Sequence, residues 1–181
     1  AGLTQGWLVL DDNHHAVGYD NILRYGLRAL AHRAEDRLAT ATTDKEREFL
    51  RAVSAGMRAL IRVGERFAAE ADRLAGQERD PEIRTRLQRI AATAGRVPAD
   101  PPQTFYEALN TLAFVFYTFQ SLEGNGISVF GHVDRTLWPY YERDRTTGVL
   151  AEAEARDLLG AFLAISDARY GMKRAHPHHV G

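Results

Sequence analysis

The densest run of side chains able to bind an ion or move a proton is Asp11-Asp12-Asn13-His14-His15. Carboxylate and imidazole both ligate metals, and imidazole titrates near neutral pH, so a histidine here can hold or shuttle a proton. Three readings are open: a metal site, a polar loop entering a helix, and a substrate-facing histidine. Against metal, adjacent histidines in one loop seldom reach one ion, and no HExxH or i,i+4 histidine pair supports it. His176, His178 and His179 lie near the end of the chain, where mobility is the usual expectation, and are assigned no role. His32 reads as a surface or boundary residue, and His132 with Asp134 as a structural pair. Glu152 and Glu154 fall at a helix start, where the helix dipole explains acidic residues. Gly124-Asn125-Gly126-Ile127-Ser128 has no downstream lysine to make it a phosphate loop, and no GxSxG, Walker or GxGxxG pattern occurs. The cysteine count of zero removes disulfides, cysteine-ligated zinc, iron–sulfur clusters and cysteine nucleophiles from these residues. No metal site and no catalytic residue is assigned, and the residue chemistry alone names no function.

The elements that would carry these groups are mainly helical. Leu23, Leu27, Leu30, Ala34 and Leu38 recur at steps of three and four, predicting a helix from Tyr19 to about Leu38. Thr40 to Asp44 supplies cap residues before a long second helix with the stripe Phe49, Val53, Leu60, Phe67, Ala71 and Leu74. Gly56 and Gly64 inside it mark a close helix approach or a local irregularity. Asp80-Pro81-Glu82 starts a third helix carrying Ile83, Leu87, Ile90 and Ala94, which Gly95 can close. Pro98, Pro101 and Pro102 make residues 96–102 an extended connection.

Thr104 and Glu107 fit a capping box opening a fourth helix. From Phe105 to Leu122 that helix is apolar all round, which means burial all round. Gly124-Asn125-Gly126 ends it, and residues 127–130 read as a short buried strand bounded by Gly131. A short helix over about 134–144 must accommodate Pro139, which is awkward outside the first turn. A last helix runs from Leu150 to about Tyr170.

Composition narrows the class. In 181 residues, 23 Lys+Arg against 24 Asp+Glu leave a net charge of −1, too little positive charge for a nucleic-acid or anionic-membrane binder. A hydrophobic fraction of 45% and a charged fraction of 26% describe a globular chain with one core. No apolar run long enough to span a bilayer is present, and the first residues lack a signal-peptide pattern, so a cytoplasmic location is expected.

Three motifs in order resemble glycyl radical enzymes of the pyruvate formate-lyase type. They are Pro101-Pro102-Gln103-Thr104-Phe105-Tyr106-Glu107-Ala108-Leu109, then Asn125-Gly126-Ile127-Ser128, then Gly131-His132-Val133-Asp134 followed by Pro139-Tyr140-Tyr141. They are similar to the family's P-x-T-F-x-E-A-L helix, N-G-x-S strand, and G-R-x-D and P-Y-Y segments. His14, Tyr19, Leu23, Gly26 and Leu27 resemble its histidine followed by Y-x-x-x-L and G-L. Gly148-Val149-Leu150 with Glu154-Ala155 and Leu158-Leu159 resembles the helix that follows. The likeness is weaker from Thr40 to Arg96. The family's arginine is His132 here, its following glutamine is Arg135, and the strand's second serine is Phe130.

The resemblance implies that residues 1–181 are one partial pyruvate formate-lyase-type domain, with no internal boundary, contributing outer helices to a ten-stranded α/β barrel. The parent enzyme would be a radical C–C, C–O or C–N lyase, dehydratase or formate acetyltransferase, cytoplasmic and anaerobic, acting on a polyol, hydroxy acid or 2-oxo acid. Its glycyl radical would be installed by an activating enzyme that uses S-adenosylmethionine and an iron–sulfur cluster, and a homodimer is among the assemblies implied. By the same resemblance His14, with His15 as its fallback, and Ser128 would bind substrate. Lacking the radical cysteine and glycine, this piece would bind no cofactor and be inert alone. The rival is a self-contained helical interaction module without catalysis, in which the apolar fourth helix is the centre of a bundle.

Overall fold

In a computed structural model, residues 15–123 and 128–174 are described. They form β1 (His15–Ala16), α1 (Tyr19–Leu38), α2 (Asp44–Gln77), α3 (Pro81–Arg96), α4 (Phe105–Glu123), β2 (Ser128–Val129), α5 (Val133–Thr146) and α6 (Glu152–Arg174). The mainly helical expectation holds. The chain divides into two compact units: Asp20–Pro102, and Ala1–Tyr19 together with Gln103–Gly181.

Within the first unit, α1 buries Leu23, Leu27 and Ala34 of its expected stripe. It is not continuous, because Gly26 adopts φ 72° and ψ 157° and breaks it into two segments. A break frees the N–H groups that open the second segment. The carbonyls of Pro98 and Ala99 accept those of Leu27 and Arg28, each at 2.9 Å. A Cβ on residue 26 would lie 2.5 Å from the Ala99 oxygen, so glycine is needed both for its dihedral angles and for the space. The expected extended connection is thus corrected. α3 runs past Gly95 to Arg96, and residues 97–99 form a buried turn whose carbonyls cap the broken helix.

Both other helix starts in this unit follow from local sequence. Thr43 Oγ1 accepts the Glu46 N–H at 3.1 Å, while the Glu46 carboxylate accepts the Thr42 N–H at 3.0 Å. One Asp80 carboxylate oxygen accepts the N–H groups of Glu82 and Ile83. Of the expected stripe of α2 only Ala71 is buried. Ser54, Ile61, Gly64, Ala71 and Ala75 are buried, whereas Phe49 and Phe67 are 65% and 61% exposed. Gly64 does mark a close approach, since a Cβ there would sit 3.2 Å from the Ala94 carbonyl oxygen of α3. Gly56 does not, because its Cβ would enter open space.

In the second unit α4 meets α5, α6 and β2. No residue from Phe105 to Phe119 is exposed, as an all-round apolar helix demands. The expected strand shrinks to Ser128–Val129, and Val129 is 38% exposed, so β2 is not fully buried. Gly124, Asn125, Gly126 and Ile127 lie outside the described residues. Pro139 stands in the second turn of α5 rather than its first, where its missing N–H leaves one carbonyl of the preceding turn without a helical donor.

Candidate functional site

β1 and β2 form a two-stranded parallel ladder in which His15 pairs with Ser128 and Ala16 with Val129. His15 therefore lies on a strand rather than in a helix-entry loop. Two of the three expected substrate-binding positions, far apart in sequence, are neighbours across that ladder. His14, together with His176, His178 and His179, lies outside the described residues. An imidazole-bearing and a hydroxyl-bearing position on adjacent strands can both serve a hydroxylated or carboxylated ligand, because each residue type donates and accepts hydrogen bonds.

A ladder of two residues per strand is weak alone, so its surroundings must hold it. After β1 the chain turns into α1, with the Tyr19 N–H donating to the Val17 carbonyl at 2.7 Å. After β2, the Phe130 ring lies 5.8 Å from that of Tyr19, 4.3 Å from Phe116 of α4 and 4.9 Å from Phe162 of α6. Nothing in the sequence announces this cluster beyond the departure from serine at position 130.

The entry to α4 is fixed twice. Thr104 Oγ1 accepts the Glu107 N–H at 3.1 Å as a capping box requires, but the Glu107 carboxylate reaches back to the N–H of Gln103, one residue before the threonine. The buried carboxylate of Asp144 adds what the sequence did not suggest, with one oxygen accepting the Phe105 N–H at 2.6 Å and the other accepting from Arg143 at 3.0 Å. Arg143 also donates to the Gln103 carbonyl. Its guanidinium lies 5.6 Å from the centre of the Tyr140 ring. Burial pushes the Tyr140 phenol above its usual pKa, and the nearby Arg143 charge opposes that rise.

A cavity of about 550 Å³ lies among α4, α5 and α6, walled by Phe105, Leu137, Trp138, Tyr141, Leu159 and Leu163. It contains none of the expected site residues. Among the described residues no group of three or more histidine, aspartate or glutamate side chains is placed to hold a metal ion. None of the described helices is long and apolar enough to cross a membrane. His32 is a surface residue whose Nδ1 lies 3.3 Å from Glu35. His132 stands at the start of α5 without a side-chain cap bond, and Glu152 pairs with Arg156 in the first turn of α6.

A family model described as pyruvate formate lyase-like matches residues 3–170. Isethionate sulfite-lyase of Desulfovibrio desulfuricans is 34% identical over 149 residues, covering 78% of this chain and 18% of that protein. A glycyl radical enzyme from Archaeoglobus fulgidus matches with a TM-score of 0.76 at 30% identity, over 83% of this chain and 20% of that one. The hydroxyproline dehydratase of Clostridioides difficile, solved with trans-4-hydroxy-L-proline bound, matches with a TM-score of 0.76 at 29% identity and the same coverage. The chain thus spans about a fifth of the length of these relatives.

Proposed function

Because this chain belongs to the pyruvate formate lyase-like family, we propose that it is part of a glycyl radical lyase or dehydratase acting on a small hydroxyl-bearing substrate. In this reading residues 1–181 are one partial domain that adds outer helices and a strand pair to a ten-stranded α/β barrel. The observation that carries it is the register of the ladder, which puts His15 beside Ser128. His15 or its neighbour His14, together with Ser128, then holds a hydroxyl or carboxylate of the substrate by hydrogen bonds. Hydrogen abstraction is the work of a thiyl and a glycyl radical, and since this chain carries no cysteine it contributes binding rather than radical chemistry. The radical is installed by an activating enzyme that uses S-adenosylmethionine and an iron–sulfur cluster, in an anaerobic cytoplasm, and the parent is a homodimer. Formate acetyltransferase activity is the less favoured outcome, because the relatives named above are a sulfite-lyase and a dehydratase. The self-contained helical module gains no supporting observation.

The test uses the full-length gene product, activated without oxygen and offered isethionate, 1,2-propanediol, glycerol, trans-4-hydroxy-L-proline and pyruvate. Turnover of one of the hydroxylated compounds is expected, with Ser128→Ala and His15→Ala each raising KM about tenfold, as loss of one hydrogen bond to substrate would. An activated protein that carries a glycyl radical by electron paramagnetic resonance yet turns over pyruvate alone would overturn the dehydratase reading. Unchanged KM in both variants would remove the two residues from the site.

A further inference from the structure

Phe130 is the first residue after β2, and its ring touches Tyr19 shortly after β1, Phe116 on α4 and Phe162 on α6. Phe116 is fully buried, and Tyr19 and Phe162 are nearly so. The two paired strands are therefore joined twice, once by the ladder and once by rings just beyond its end. The ladder alone spans two residues per strand, too little to choose its own register. A one-residue slip would put His15 opposite a residue other than Ser128. Aromatic pairs stabilise beyond the area they bury, and three of them converge on this one side chain.

We propose that Phe130 is a positioning residue. Through its rings it sets the register that places His15 beside Ser128, and with it the substrate affinity of the parent enzyme. This rests on the site proposed above, but its first test does not. Hydrogen exchange on the full-length, unliganded protein should show faster exchange at residues 15–17 and 128–130 in Phe130→Ala, with α2 and α3 unchanged. Phe130→Tyr, which keeps the ring, should restore protection. If Phe130→Ala lowers protection throughout, Phe130→Leu, which keeps most of the volume but no ring, takes its place. Unchanged exchange in both strands with either variant overturns the proposal.

The second readout is kinetic, on whichever hydroxylated compound the parent turns over. Phe130→Ala should raise KM about tenfold with kcat within twofold, and Phe130→Tyr should return KM to normal. A general packing role would instead lower the amount of active enzyme and leave KM alone, which counts against positioning. Should Ser128→Ala and His15→Ala leave KM unchanged while Phe130→Ala still loosens both strands, the substrate site is misplaced and the structural lock stands.

Discussion

The unit Asp20–Pro102 and the unit built from residues 15–19 and 103–174 are held by different means. In the first, four of the five buried residues of the long helix α2 are small, Ile61 being the fifth, while Phe49, Phe67, Ile83 and Ile90 on α2 and α3 are exposed. Backbone capping at Gly26 and a charged clamp on Glu35 join its parts. In the second, aromatic rings meet around Phe130 and a buried carboxylate pins the start of α4. Proposed substrate contacts fall only in the second. A region that must fix two strands benefits from interlocking rings, whose shapes specify one arrangement, whereas close-packed helices need only small residues and matched caps.

In the first unit the costliest substitution falls at Gly26. Its backbone lies in a region open almost only to glycine, and any Cβ meets the Ala99 carbonyl. Gly26→Ala should cost roughly 4 kcal/mol, combining about 1–3 kcal/mol of backbone strain with displacement of the 97–100 turn. Denaturant unfolding of the purified protein checks this. A loss below about 1 kcal/mol would show that the break in α1 relaxes easily.

In the second unit, Asp144→Ala removes the acceptor for the Phe105 N–H and leaves Arg143 without its carboxylate partner. A loss of about 3 kcal/mol is expected, with Asp144→Asn losing less because its amide oxygen still accepts one bond. Thermal melts of the two variants in parallel would show it. Equal loss in both would mean that the charge, not the accepted N–H, is what matters.

What the sequence reveals divides by separation along the chain, not by unit. The caps at Thr43, Asp80 and Thr104 were legible because each closes within four residues. The Asp144 bond to Phe105 spans 39 residues, and no local pattern announces it. The strand pair joins residues still farther apart, so the sequence showed β2 only as a short apolar run and β1 as a polar loop. On α2 two stripes share one helix. The stripe with the phenylalanines is the obvious one to bury, yet the one through Ser54, Ile61, Gly64 and Ala75 faces inward, and Gly64 lets α3 come close. Position 128 belongs to the expected site through the family motif alone, and Phe130 stands out in the sequence only as a departure from it.

The charged clamp of the first unit gives a weaker, pH-dependent effect. Glu35 accepts two bonds from Arg58 at 2.7 Å and one from Ser54 at 2.6 Å, and these lower its pKa from 4.5 to about 2. A depressed carboxylate pKa in the folded state means stability that is present above about 4.5 and lost as pH falls towards 2. Melting midpoints should therefore drop over that window in the wild type and drop less in Glu35→Gln. Because the pair is solvent-accessible, added salt should shrink the difference. Parallel slopes for the two proteins would assign the acid sensitivity to other carboxylates.

The smallest effect has the opposite sign. Gly56 lies in the interior of α2 with nothing near the position its Cβ would take, so no packing demand opposes a side chain there. Alanine removes backbone freedom from the unfolded chain and should stabilise by up to about 1 kcal/mol. The matching change at Gly64 brings a methyl group against the Ala94 carbonyl and should destabilise instead. The two glycines sit eight residues apart on one helix, so intrinsic propensity is the same for both. The difference between their unfolding free energies thus isolates the close approach of α2 to α3, and a rise in stability at both positions would mean that small residues are not what lets these helices meet.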